Sequence, residues 1–372
     1  MGRSFRIGKI FGIPLMLDFS WFLIFIFITL SLSMDFFPLV YEGWPTAYYW
    51  IIGISTSLLF FASLIVHEVA HSIVSKRTGI PVKSITLFLL GGVAEISREA
   101  SRPKTELLMS IAGPLSSAAL GGIFFALAYI LDGVNVYLSA LCSYLSYINL
   151  VLAAFNMIPG FPMDGGRVLR SVVWMVKKDY VQATRIATQA GHIVSVLFIA
   201  GGVFLAFNRD LFGGLWLIFI GFFISSSARI ALQQLLMREN LKGYSAQDVM
   251  NRNLPTIPRN LNLLDLIERS LIKSSNRLYL VTDGDSIVGL LTVWQIKKVP
   301  QRQWSLTTVA HIMIPVESIK TVRPAEQASA VFEKFDQGPD AAVAVSNEGK
   351  VMGIITRQSL FDFAQRLQIV KG

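Results

Sequence analysis

Six apolar runs, each close to the roughly 20 residues that a helix needs to cross a bilayer, constrain this chain more than any other feature. They fall at about residues 14 to 33, 49 to 75, 106 to 131, 134 to 157, 187 to 207 and 211 to 235. Hydrocarbon satisfies no backbone hydrogen bond, so runs of this length predict helices that close their own bonds. Composition agrees: 53% of the 372 residues are hydrophobic and 15% charged, against about 25% charged in a typical soluble protein. No small-residue cleavage pattern follows the first run, so it is expected to be a mature span and not a removable signal. Charged residues become regular only beyond about Met237. The chain therefore divides into a membrane part, residues 1 to 240, and a soluble part, residues 241 to 372.

The net charge of +9 does not indicate nucleic acid, because the basic residues of the first half sit in short clusters between apolar runs instead of on one face of a soluble fold. They read as topology. Arg3, Arg6 and Lys9 precede the first run, six basic residues lie between Lys76 and Lys104, and Arg167, Arg170, Lys177, Lys178 and Arg185 follow the fourth. The alternate loops are poor in base: residues 34 to 48 hold Asp35 and Glu42, and Asp210 balances Arg209. The positive-inside rule makes the basic side cytoplasmic. An even number of spans then puts both termini and the soluble tail in the cytoplasm of a multi-pass protein of the cell membrane.

Residues 82 to 97, V-K-S-I-T-L-F-L-L-G-G-V-A-E-I-S, predict a hairpin around Gly91-Gly92. It is unusually apolar for a loop. A hairpin dipping into the bilayer must shield its edges with protein or a water-filled cavity, which makes this one a candidate substrate-facing edge. The tail repeats itself. Asp248-Val249-Met250, a helix-like run at 261 to 272, Leu278 to Val281 and Gly289 to Thr292 return as His311-Ile312-Met313, a run at 326 to 335, Ala342 to Val345 and Gly353 to Thr356. The two copies, about 245 to 300 and 308 to 366, predict a pseudo-symmetric α/β pair.

The chemistry concentrates in His67-Glu68-Val69-Ala70-His71. Histidines four apart share one helix face and can chelate one Zn²⁺. Glu68 then lies beside the metal, placed to take a proton from water as it attacks a peptide carbonyl. In a soluble chain the same match can be a charged helix face. Here it follows an almost uncharged run, where polar residues are costly and usually functional. Catalytic zinc usually has three protein ligands, and the single cysteine, Cys142, leaves no cysteine-based site. Asp164 is the candidate third ligand: it follows Pro159 and Pro162 at the end of the fourth run, on the same side as the end of the second run. Asn156 either terminates its helix or offers its amide to substrate backbone or oxyanion. His192 and His311 are read as satisfied histidines, and Ala112-Gly113-Pro114 as a close helix contact and kink.

Together H67-E-V-A-H71, A112-G-P and N156-x-x-P-x-x-P-x-D164-G resemble the site-2 protease family of intramembrane zinc metalloproteases, in the branch with a C-terminal pair of CBS (cystathionine β-synthase-type) domains. The resemblance covers nearly the whole chain. It implies a polytopic α-helical membrane domain of six spans, with a membrane-associated β-hairpin, followed by a cytoplasmic α/β tandem CBS domain. It also implies zinc on His67, His71 and Asp164, Glu68 as the base, and Asn156 against a substrate that is itself a transmembrane protein. Such enzymes hydrolyse transmembrane segments, often after another protease has trimmed the extracytoplasmic part, and so release a signalling fragment. CBS pairs often bind adenine nucleotides and form dimers. By resemblance Thr292 and Thr356 stand where phosphate is commonly met, yet Gln295 and Ser359 replace the acidic residue that often holds ribose. A transporter regulated by such a tail is the rival class, but it would be expected to carry ionisable residues on several spans or paired broken helices.

Overall fold

Alternation decides the fate of the first apolar run. In the computed structural model, which describes residues 4–89, 91–208, 210–268, 278–284, 286–335, 342–348 and 350–371, Ile13, Leu15 and Leu17 are buried while the residues between them are only partly so. The expected first span, 14 to 33, therefore begins with a strand. Pro14 and Met16 are themselves apolar, which hides the two-residue period in the sequence. The strands β1 (Ser4–Ile10) and β2 (Ile13–Asp18) precede helix α1 (Ser20–Leu30). The Ser20 N–H donates to Asp18 Oδ1 at 2.9 Å where the helix starts. This helix continues through a π-helical segment, Ser31–Phe36, into α2 (Phe37–Val40), so the span is Ser20–Val40. The loop expected from residue 34 is correspondingly shorter. Arg3 and Arg209, Leu90 of the hairpin, and residues 269 to 272 of the helix-like run lie outside the described residues.

Five further long helices follow: α3 (Thr46–Arg77), then, beyond β3 (Val82–Phe88) and β4 (Gly91–Ile96), α4 (Pro103–Leu131) and α5 (Val136–Asn156), and after the shorter α6 (Asp164–Lys177), α7 (Tyr180–Phe207) and α8 (Leu211–Asn240). Six helices among the described residues are long and apolar enough to cross a membrane, which makes this a polytopic membrane protein. Residues 164 to 177, read from sequence as part of a basic loop, form α6. At about 1.5 Å per residue it spans about 21 Å, too little for a hydrocarbon core of about 30 Å.

The predicted hairpin is half of a larger sheet, ordered β1-β2-β3-β4, in which β2 and β3 run parallel with Leu15 opposite Ile85 and Leu17 opposite Leu87. Its buried face lies on α3: Ile13, Leu15 and Ile85 cluster with Val69, and Leu17 and Leu87 with Phe61 and Leu64. Small polar residues let the helices approach closely. The Ser146 hydroxyl donates across to Gly121 O at 2.9 Å, and Asn149 Nδ2 to Ser63 Oγ at 3.3 Å. Thus α3, α4 and α5 are hydrogen-bonded to one another.

The chain forms two compact units, Met1–Leu232 and Gln233–Gly372. The second contains α9 (Ala246–Val249), β5 (Thr256–Pro258), α10 (Leu263–Leu266), β6 (Leu278–Asp283), β7 (Ser286–Thr292), α11 (Val293–Lys298), α12 (Val309–Ile312), β8 (Ile314–Pro315), β9 (Thr321–Val322), α13 (Ala328–Phe335), β10 (Ala342–Asn347), β11 (Lys350–Thr356) and α14 (Arg357–Lys371). The hairpins β6-β7 and β10-β11 share one register: Leu278 pairs with Thr292 and Ala342 with Thr356, and each has an irregularity at the same place, after Val281 and after Val345. The leading helices are exchanged. Ala246 and Val249 of α9 lie in the core of the second repeat with Val331 and Ile355, while Val309 of α12 lies in the core of the first with Leu263 and Leu291. Leu280, Leu290, Ala344 and Ile354 join the repeats in a shared core. This is the α/β tandem that the repeat predicts.

Candidate metal centre

One helix turn separates His67 from His71, so both imidazoles leave the same face of α3, where they are buried. Opposite them, Met109, Gly113 and Ser117 recur every four residues and form one stripe of α4. The two stripes run antiparallel: His71 Nδ1 donates to Met109 O at 2.6 Å, and His67 Nδ1 lies 2.9 Å from Ser117 Oγ. Each ring is thereby oriented through Nδ1, which turns Nε2 inward. A histidine ligand to a metal is ordinarily held in this way. Gly113 sits between the two rings. A Cβ there would stand 2.6 Å from His67 Nε2 and would collide outright with His71 Nε2, so this close approach requires glycine.

Asp164 is the first residue of α6, after the turn that contains Pro159 and Pro162. A carboxylate at a helix N-terminus is favoured by the helix dipole. Its Oδ2 lies 3.2 Å from His67 Nε2 and 3.0 Å from His71 Nε2, and the two Nε2 atoms are 3.2 Å apart. Two nitrogens and one carboxylate oxygen thus meet at nearly equal separations. Ligands about 2.0 to 2.1 Å from a tetrahedral ion stand roughly 3.3 Å from one another, so the donor set suits zinc in both chemistry and size. Among the described residues this is the group of three that could hold a metal ion.

Glu68 is next to the pair along α3 and half-buried. The strand β4 packs directly on it: a Cβ on Gly92 would fall 2.7 Å from Glu68 Cγ. The sheet's edge strand and the carboxylate are therefore neighbours. Asn156 is the last residue of α5, and its Nδ2 donates to Leu152 O at 3.0 Å within that helix. The other two histidines each find a hydroxyl: His192 Nδ1 is 3.3 Å from Ser225 Oγ, and His311 Nδ1 is 2.7 Å from Thr308 Oγ1.

A buried ion pair anchors α6. Arg170 Nε donates to Glu106 Oε1 of α4 at 2.7 Å, with a second bond from the same guanidinium, and both side chains are almost fully buried. Arg170 also lies 4.8 Å from the ring centroids of Phe161 and Tyr180, within cation-π range. From sequence Arg170 reads as one of the basic loop residues that set topology; nothing in its spacing points to Glu106, 64 residues away. The four-residue spacing of Met109, Gly113 and Ser117 was the available signal for the α4 partners of the histidines.

In the second unit, the Thr292 N–H donates to Gln295 Oε1 at 2.7 Å in a capping box at the start of α11. The Thr356 N–H donates to Ser359 Oγ at 2.9 Å, and the Ser359 N–H to Thr356 Oγ1 at 3.0 Å. Both threonines therefore cap helices, using the two residues at which the sequence departs from the nucleotide-binding pattern.

Family models match both parts of the chain. The family described as Peptidase family M50 matches residues 55–140 and 132–200, and the CBS domain matches residues 246–302 and 309–366. Rip3 of Mycobacterium tuberculosis, whose name describes it as a zinc metalloprotease, is 35% identical over 360 residues, covering 96% of this chain and 91% of that one. The protein sll0528 of Synechocystis, with a name of the same kind, is 35% identical over 374 residues, covering 98% and 96%. The solved structure of a site-2 protease from Methanocaldococcus jannaschii is 30% identical and covers 61% of this chain and 94% of that one, with a TM-score of 0.42.

Proposed function

This chain belongs to the site-2 protease family, Peptidase family M50, of intramembrane zinc metalloproteases and carries a CBS pair; we propose that His67, His71 and Asp164 hold its zinc ion and that Glu68 is its general base. The reading rests on one observation, the meeting of two Nε2 atoms and one Oδ2 at 3.0 to 3.2 Å beside a glutamate. Zinc bound there would supply Lewis acidity to a scissile carbonyl and lower the pKa of a coordinated water to about 7. Glu68 takes the proton from the attacking water and returns it to the leaving amine. The Nδ1 contacts to Met109 and Ser117 keep both imidazoles aimed at the centre throughout.

The substrates are membrane-anchored proteins cut within or near a transmembrane helix. A helical peptide bond is shielded by its own hydrogen bonds, so the segment must unwind before attack. The edge of β4, in contact with Glu68 through Gly92, is suited to receive such a segment as an added strand. Asn156, at the end of α5, aligns the strand near the scissile bond. The basic loops favour the cytoplasmic side for both termini and the CBS pair.

The CBS pair modulates cleavage, with dimerisation through it and adenine-nucleotide binding near Thr292 and Thr356 as the candidate routes. Calorimetric titration of the full chain with ATP and AMP tests the second route; absence of heat and of thermal stabilisation leaves the pair a scaffold. The catalytic reading is tested with the full chain in lipid vesicles beside a model single-span substrate. Chelation is expected to abolish cleavage and added zinc to restore it. Cleavage that survives removal of all metal refutes the reading.

A further inference from the structure

The last turn of α6, Lys178 just beyond it and the first residues of α4 border an open cavity of about 380 Å³ lined by Arg102, Pro103, Lys104, Trp174, Met175 and Lys178. Three of these six residues are cations, and among the described residues none of the three is paired with a carboxylate. The nearby acids are engaged elsewhere: Glu99 accepts from the Tyr180 hydroxyl at 2.9 Å, and Asp179 caps α7 through the Gln182 N–H at 2.9 Å.

Apolar side chains complete the lining and continue along the outer surface of the adjoining helices. Lys104 heads a stripe of α4 that continues at helical spacing through Leu108, Ile111 and Leu115, with Leu108 60% and Leu115 62% exposed. On α6, Val172 and Val176 are likewise exposed. Trp174 meets Tyr180 edge-on at 4.7 Å, an aromatic pair at the start of a span, where such residues mark the headgroup level. Cations above an outward apolar track match a molecule that is anionic at one end and hydrocarbon at the other.

We propose that this cavity binds the headgroup of an anionic phospholipid, its phosphate between Arg102, Lys104 and Lys178 and its acyl chain along the stripe from Lys104 to Leu115. The apolar half of the lining and its continuity with a spanning helix favour a lipid over a free anion. The site stands at the opposite end of the helix that begins with Asp164, and it is separate from the metal centre.

The test uses the full chain in detergent micelles, equilibrated with phosphatidylglycerol or with phosphatidylcholine of the same acyl chains, and counts retained lipid by native mass spectrometry. Phosphatidylglycerol is expected to be retained preferentially. Each charge removed should weaken its binding about fivefold, so Lys104→Gln gives a partial loss and the triple variant Arg102→Gln/Lys104→Gln/Lys178→Gln a loss on the order of 100-fold. A control triple, Lys297→Gln/Arg302→Gln/Lys320→Gln, removes the same charge from exposed positions of the second unit and should retain lipid like the wild type. Equal retention of the two lipids, or equal loss in both triples, overturns the proposal. Displacement of the lipid by millimolar inorganic phosphate also overturns it and marks a free-anion site.

Discussion

Replacing Arg170 by Met should loosen the helix that delivers Asp164, and the size of the effect follows from the burial of its partner. Glu106 is 1% exposed and the Arg170 side chain 8%, so removing the guanidinium leaves a carboxylate in a low-dielectric interface. Breaking a buried pair in this way costs about 3 to 5 kcal/mol. Arg167 Nε, 3.9 Å from the same Glu106 oxygen, offsets part of that, so about 3 kcal/mol is expected at the low end of that range. For a unit of this size it corresponds to roughly 6 to 12 °C in Tm. The double variant Glu106→Leu/Arg170→Met removes both charges and should recover most of the loss, since apolar replacement of a whole buried pair is often neutral or stabilising. The assay is thermal unfolding of the four proteins of this cycle in one detergent, with zinc per chain measured beside it. An Arg170→Met variant that melts with the wild type, or a double variant no more stable than the single one, would show that the buried pair does not anchor α6.

Gly113→Ala introduces a Cβ among the two Nε2 atoms, so the rings must turn off their Met109 and Ser117 contacts; zinc affinity should fall roughly 10- to 100-fold, as read by competition with a fluorescent chelator. Asn156→Ala should keep its zinc and lose about 100-fold in kcat/KM on a model substrate, whereas equal loss of zinc would assign it a purely structural role. In the second unit, hydrogen bonds from the Ser245 hydroxyl and N–H hold the Asp248 carboxyl below its ordinary value. Its contribution to stability is therefore present above pH of about 4 and is lost as pH falls through the lower folded value. Asp248→Asn should flatten the acid limb of a melting-temperature profile, and an unchanged limb would count against this capping box.

The site was more legible in the sequence than the scaffold around it. A helix fixes where residues four apart point, so His67 and His71 announce a shared face without any tertiary knowledge. Asp164 could be paired with them because span parity brings both helix ends to one side. The strand β2 was hidden because every residue from Ile13 to Leu17 is apolar, and length then outweighs alternation. Helix α6 was hidden by the stretch that leads into it: two prolines and three glycines read as loop, and its arginines read as topology until Glu106 accounted for them. In the tail, the repeat made the pair of α/β units and their central strands legible, while strand order and register came only with the structure. The exchange of α9 and α12 between repeats was not legible, since four-residue helices carry too little periodicity to say which core they enter.

Zinc per chain and cleavage of a model transmembrane substrate, measured on the same vesicle preparations of wild type and Glu68→Gln, separate metal binding from base catalysis. One zinc is expected in both, with cleavage in the variant reduced at least about 100-fold. Undiminished cleavage by Glu68→Gln would contradict the assignment of the base and, with it, this account of the site.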